Sequence, residues 1–161
     1  MDVDAVREVV AAAFAGDDGR VPIEVGLLAR LREDPGWLPA YSLVATEPDG
    51  SVVGHVVATR GDVDGRPALG VGPVAVHPKA QGRGVGSALM HAVLGAAEGR
   101  DEALVALLGE PAFYGRFGFD AATEHGIASP DPAWGASFQV RPLTGTPPRG
   151  FFRYAAPFAE L

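Results

Sequence analysis

The sequence predicts a single α/β (α+β) domain over residues 1–161, with one mixed central β-sheet and flanking helices. Three observations carry that class. The chain has 161 residues, enough for one apolar core and too few for two ordinary domains. Its first part reads as two helices followed by three antiparallel strands. Its middle reads strand, helix, strand, and such a helix makes a right-handed parallel crossover the default connection.

The elements follow from local pattern. Residues 4–14 place Val6, Val9, Val10, Ala13 and Phe14 at helical spacing, and Gly16-Asp17-Asp18-Gly19 ends that helix. Residues 23–32 put Leu27, Leu28 and Leu31 on one helical face, with Pro35-Gly36 as the stop. Residues 41–46 and 51–59 read as a hairpin across Pro48-Asp49-Gly50, where proline presets φ and glycine accepts a positive one. Residues 62–67 read as a second turn and 68–76 as a third strand. Gly70, Gly72 and Pro73 inside that strand point to a bulge or to something approaching its backbone. A helix over about 84–98 carries Leu89, Met90, Val93 and Leu94. Residues 103–108 form a short apolar strand and 111–117 a short helix with proline in its first turn. Strand resumes from Phe119, and 137–140 and 151–155 are the last strands, joined by the Pro/Gly-rich stretch 144–150.

Composition excludes several classes of function. The chain has no cysteine, which removes disulfides, thiolate nucleophiles and cysteine zinc sites and makes a reducing cytoplasm the default. No apolar run reaches eighteen residues, so no transmembrane helix and no membrane partner are expected. The start MDVDAVREVV lacks the basic and apolar blocks of a secretory signal. A net charge of −7 argues against a nucleic-acid partner and suits a cationic amine. The four histidines, His55, His77, His91 and His125, show no metal-ligand spacing, so no metal is expected. The sequence leaves the oligomeric state open, a homodimer included.

The feature richest in chemistry is Gln81-Gly82-Arg83-Gly84-Val85-Gly86-Ser87, set between a strand and a helix. A helix start offers unpaired N–H groups and a positive dipole end. Glycines let several of those N–H groups converge on phosphate oxygens, and Arg83 adds a forked donor. A Walker loop fails because Ser87 follows Gly86 rather than lysine. A dinucleotide fingerprint fails in both registers, on Ser87 and on Leu89. The spacing Gln/Arg-x-x-Gly-x-Gly/Ala fits at Gln81, Gly84 and Gly86. The plain alternative is a glycine-rich turn that binds nothing.

About thirty residues further on stands GEPAFYGRFGFDA, after the short apolar strand. The two signatures together resemble the GNAT superfamily of N-acetyltransferases, over roughly residues 44–121. The wording PAFYGRFGF looks closest to a little-characterised bacterial branch of it. The resemblance implies a sheet splayed at the cofactor and acetyl-CoA as acyl donor. It implies that Val74, Ala75 and Val76 hold the pantetheine arm through their backbone. It implies that Gln81, Gly82, Arg83, Gly84, Val85, Gly86 and Ser87 hold the pyrophosphate, and that Tyr114 stands near the cofactor sulfur. The chain also departs from the family. It opens on a helix where members often begin with a strand. Residues 68–76 carry no ionisable side chain where many members keep a glutamate base. Gly109-Glu110-Pro111 stands where many keep an asparagine.

The expected reaction is direct acetyl transfer from acetyl-CoA to an amine of a small molecule or peptide, with Tyr114 and Glu110 as the catalytic residues and no metal. The alternative is a non-catalytic acyl-CoA-binding sensor, motivated by the strand without a base. Other residues have a sharp and a plain reading. Glu110 is a base or a helix-start carboxylate. His55 faces an acceptor cavity or packs in the core. Asp17, Asp18 and Glu24 attract an amine or are solvated. Trp134 and Phe138 wall a pocket or fill the core.

Overall fold

The structure is a computed structural model in which residues 2–161 are described. The two N-terminal helices are α1 (Val3–Ala13) and α2 (Ile23–Glu33). Three long strands follow, β1 (Trp37–Thr46), β2 (Val52–Val63) and β3 (Arg66–Val76), each longer than expected. Helix α3 (Val85–Gly99) leads to β4 (Leu104–Leu108) and to the short α4 (Pro111–Tyr114). The remainder holds β5 (Asp120–Ala121), β6 (Ile127–Ala128), β7 (Phe138–Pro142) and β8 (Gly150–Arg153). Strand after Phe119 is thus only a fragment. A 3₁₀ turn at Ala122–His125, capped by Gly126 in the left-handed region, interrupts it.

All eight strands join one mixed sheet in the order β5-β7-β4-β3-β2-β8-β6, with β1 also on β2. The crossover from β3 through α3 to β4 is parallel, and β1, β2 and β3 are antiparallel. The last two long strands do not pair with each other: β7 lies on β4 and β8 on the far end of β2.

Side-chain parity decides which face each helix covers. Val57 and Ala75 meet Val6, Val9 and Val10 of α1 and Val25 and Leu28 of α2. Val56, Leu69 and Val71 face the other way, onto Leu89, Met90, Val93 and Leu94 of α3. Strict alternation would then put Val74 and Val76 under α1. Opposite β2, however, Val56 pairs with Val74 and Ala58 with Val71, so β3 carries one extra residue at Gly72-Pro73. This bulge resets the parity, and Val74 and Val76 return to the α3 side.

The loop after α3 is fastened to the sheet. Glu102 accepts from Arg60 Nη1 and Nη2 at 2.7 and 2.8 Å and from the Tyr41 hydroxyl at 2.7 Å. Burial, with Glu102 beside it, pushes the Tyr41 phenol up to about 12.

His55 takes its plain reading. It is fully buried, its Nε2 lies 3.1 Å from Ser42 Oγ, and its Nδ1 has no hydrogen-bond partner. Burial, aided by the charge of Arg32, lowers its pKa from 6.5 to about 4. Folding therefore favours the neutral ring. The corresponding stability is complete above about pH 6.5 and is lost as pH falls toward 4, a loss on the order of 2–3 kcal/mol. Urea midpoints at pH 7 and pH 5 check this: the wild type should weaken at pH 5, and His55→Gln should weaken less.

Candidate active site

The site exists because two neighbouring strands part. β3 pairs with β4 only at Leu69–Val105 and Gly70–Ala106. Beyond Gly70, β3 stays with β2 while β4 runs alongside β7. The backbone edge of residues 71–76 on the β4 side is left open. Two hollows lie along this split.

The first hollow, of about 510 Å³, is the glycine turn itself. Gly82 and Gly84 have φ of 77° and 81°, the left-handed region that side chains disfavour. Gly84 is the N-cap of α3 and supplies no capping side chain. The first helical bond runs from Ala88 N to Gly84 O, so the amides of Val85, Gly86 and Ser87 have no helical partner. All three residues line the hollow. Gln81 Nε2 donates to Val76 O at 3.2 Å and ties the turn to the end of β3. Gly54 lets the helix start seat closely, because a Cβ there would lie 2.9 Å from Val85 Cγ1 and 3.0 Å from Leu89 Cδ1.

Three sequence-predicted residues stand differently. Arg83 pairs with Glu47 at the end of β1, and its side chain is not part of the wall. The arginine that does line the hollow is Arg116, which sequence reasoning missed. Its Nε donates to Phe113 O at 3.3 Å, and its guanidinium lies 4.7 Å from the Phe113 ring centroid. Ala75 points into the core under α1, while Val74 and Val76 line the hollow. Glu110 caps α4 by accepting from Ala112 N at 3.3 Å and lines neither hollow.

The second hollow, of about 880 Å³, lies on the far side of the split. Trp134, Phe152, Tyr154 and Phe158 contribute aromatic walls, while Phe138 is buried behind them in the core. Among its acidic residues, Asp62 accepts from Gly65 N at 2.8 Å and Asp131 from Ala133 N at 2.9 Å. Half-buried Glu24 also lines it, and among the described residues no hydrogen bond or ion pair engages its carboxylate. Asp17 and Asp18 are exposed and lie outside the wall.

The two hollows share three residues: Phe14, Val74 and Tyr114. Tyr114 is placed there by packing. Its ring meets Phe113 and Phe119 edge-on at 4.9 and 6.2 Å. Gly109 has no side chain because a Cβ there would overlap the Tyr114 ring. Phe117 is buried and anchors the turn that follows α4. The Tyr114 hydroxyl has no partner among the described residues, and burial raises the phenol's pKa above its ordinary value. It is therefore a proton donor throughout the neutral range. No group of three or more metal-ligating side chains is gathered among the described residues, and no described helix is long and apolar enough to cross a membrane.

Residues 39–121 match the acetyltransferase (GNAT) domain family. The chain is 34% identical over 145 residues to the uncharacterised N-acetyltransferase YhbS of Escherichia coli, covering 89% of this chain and 83% of that protein. It is 34% identical over 136 residues to a second uncharacterised E. coli N-acetyltransferase, YjhQ, covering 81% and 72%. The crystal structure of YhbS in complex with CoA superposes with a TM-score of 0.86 at 31% identity, over 98% of this chain and 87% of that one. A GNAT acetyltransferase from Brucella melitensis, solved with acetyl-CoA, gives 0.78 at 31% identity, over 98% and 92%. With a family match over half of the chain and whole-chain relatives at 31–34% identity, the chain belongs to the GNAT family of acetyl-CoA-dependent N-acetyltransferases.

Proposed function

We propose that this protein moves an acetyl group from acetyl-CoA directly to an amine. The observation that carries the reading is the meeting of the two hollows at Val74 and Tyr114, with free helix-start amides on one side and a pocket large enough for a small molecule on the other. The CoA and acetyl-CoA complexes of the two superposed relatives support it.

The residues divide the work. The amides of Val85, Gly86 and Ser87 hold the pyrophosphate, with Arg116 beside them. The open edge at Val74, Ala75 and Val76 hydrogen-bonds the pantetheine arm through its backbone, and an N–H of that edge polarises the thioester carbonyl. The amine nitrogen bonds to the acetyl carbon, the carbon–sulfur bond breaks, and Tyr114 gives its proton to the sulfur. The attacking amine first gives a proton to water in the hollow, because free alkyl amines are mostly charged at neutral pH. Glu24 is the carboxylate in the acceptor hollow that no protein group engages. Glu110 keeps its capping role. The cysteine-free composition suits a reducing cytoplasm.

The second reading, a sensor that binds acyl-CoA without turnover, draws on the absence of an ionisable side chain in residues 68–76. Two measurements separate the readings. CoA at a hundred times its Kd should raise the melting temperature by about 5–10 °C. Thiol release from acetyl-CoA with a broad amine panel should be amine-dependent. No thermal shift at millimolar CoA overturns both readings, and a shift without amine-dependent release favours the sensor.

A further inference from the structure

We infer that the acceptor is an arylalkylamine: one amino group on a short alkyl arm carried by a flat, apolar ring system. The inference rests on the acetyl-transfer reading and concerns the larger hollow. Its wall is built from aromatic rings that already stack on one another. Trp134 and Tyr154 meet edge-on at 6.4 Å, Tyr154 and Phe158 lie tilted at 4.6 Å, and Phe152 meets Tyr154 edge-on at 4.9 Å. Stacked walls of this kind are rigid, and they accept a further ring at centroid distances of about 4.5–7 Å.

Exposure points to the same place. Of the seven large hydrophobic residues exposed among those described, four line this hollow: Phe14, Leu108, Phe151 and Leu161. Apolar surface gathered at one concave site marks a binding surface rather than chance exposure. A polyamine or a lysine side chain would leave that wall in contact with water.

Polar groups in the hollow are few and specific. Glu24 has a free carboxylate, and the Tyr154 hydroxyl has no protein partner. Asp62 and Asp131 add negative charge against the single arginine, Arg153. One cationic head and an apolar body match that distribution. The amine sits toward Glu24 and the ring lies against Trp134 and Tyr154.

The test uses the full chain with acetyl-CoA and reads thiol release. The acceptors are propylamine, hexylamine, 2-phenylethylamine, tryptamine, spermidine and lysinamide. Along the alkylamines, kcat/KM should rise by up to roughly fourfold per buried methylene. Tryptamine or 2-phenylethylamine should exceed spermidine and lysinamide by a hundredfold or more. Trp134→Ala should raise KM for tryptamine at least tenfold with KM for acetyl-CoA unchanged. Glu24→Gln should weaken tryptamine about tenfold while leaving inhibition by tryptophol, its neutral alcohol counterpart, as in the wild type. Equal weakening of both compounds would assign Glu24 to the shape of the pocket and overturn the charge contact. Preference for spermidine or lysinamide overturns the inference and leaves acetyl transfer standing. If no amine releases thiol yet tryptamine binds the CoA-loaded protein in calorimetry, the arylalkylamine site stands and the transfer reading falls. If neither tryptamine nor 2-phenylethylamine binds or reacts, the inference is wrong whatever else the enzyme accepts.

Discussion

Gly86→Val is expected to weaken CoA binding at least a hundredfold while the protein melts within a few degrees of wild type. The two halves of this result come from different geometry. A Cβ at Gly86 would lie 3.7 Å from Phe113 Cζ and 3.7 Å from Val76 Cγ2, ordinary contact distances that the ligand-free protein accommodates. Gly86 is also not among the positive-φ glycines, so a side chain brings no backbone strain. In the first turn of α3, valine has a helix propensity no worse than glycine's. The new methyl groups would nevertheless stand in the slot between Phe113 and Val76, beside the free amides, where phosphate oxygens need close approach. Gly84→Val is the contrasting case. Nothing lies within 4 Å of its added Cβ, yet its φ of 81° makes any side chain strained, by about 1–2 kcal/mol. That variant should lose both affinity and stability, and a pair of calorimetric titrations with melting curves checks the two together. Wild-type CoA affinity in a folded Gly86→Val protein would remove the pyrophosphate from this turn.

The turn was legible in the sequence because its chemistry is local. Gly82 and Gly84 are needed for their φ, and the helix start follows directly in the chain. The bulge in β3 was legible for the same reason, since Gly72-Pro73 interrupts a strand wherever it occurs. Its consequence was hidden: that one extra residue turns Val74 and Val76 toward α3 appears only once both faces of the sheet have owners. The two arginines show the limit most clearly. Both stand in glycine-rich motifs, and sequence alone favours Arg83, inside the turn. Glu47, thirty-six residues away, pairs with Arg83, while the Phe113 ring steers Arg116 into the wall. The acceptor hollow was the least legible part. Glu24, Val71, Leu108, Trp134 and Phe158 come from five separate stretches of chain with no shared periodicity. Glu24 and Trp134 had an acceptor-site reading beside a plain one, whereas Val71, Leu108 and Phe158 read alone as ordinary apolar residues. Only the parting of β3 from β4 brings them around one space.

Tyr114→Phe is expected to lower kcat by about a hundredfold or more and to leave CoA binding unchanged. The substitution removes one oxygen and keeps the ring. The contacts that position the residue belong to the ring: the edge-on packing against Phe113 and Phe119, and the space that Gly109 leaves for it. The fold should therefore persist. The hydroxyl has no protein partner, so its loss leaves no buried donor or acceptor unpaired. A purely structural tyrosine at this site would thus show no change in turnover. The catalytic expectation differs because Tyr114 lines both hollows, at their junction. Negative charge develops on the departing sulfur, and a thiol of pKa about 8.5 gains from a nearby donor at neutral pH. Burial raises the Tyr114 phenol above its ordinary value, so the proton stays available across the working range. The sign follows. The wild type should hold its kcat as pH rises through 9, where a solvent-exposed phenol would begin to ionise, and the variant should be low throughout. A Tyr114→Phe protein with wild-type kcat from pH 6 to 9 would leave the thiolate to take its proton from water and give Tyr114 to packing alone.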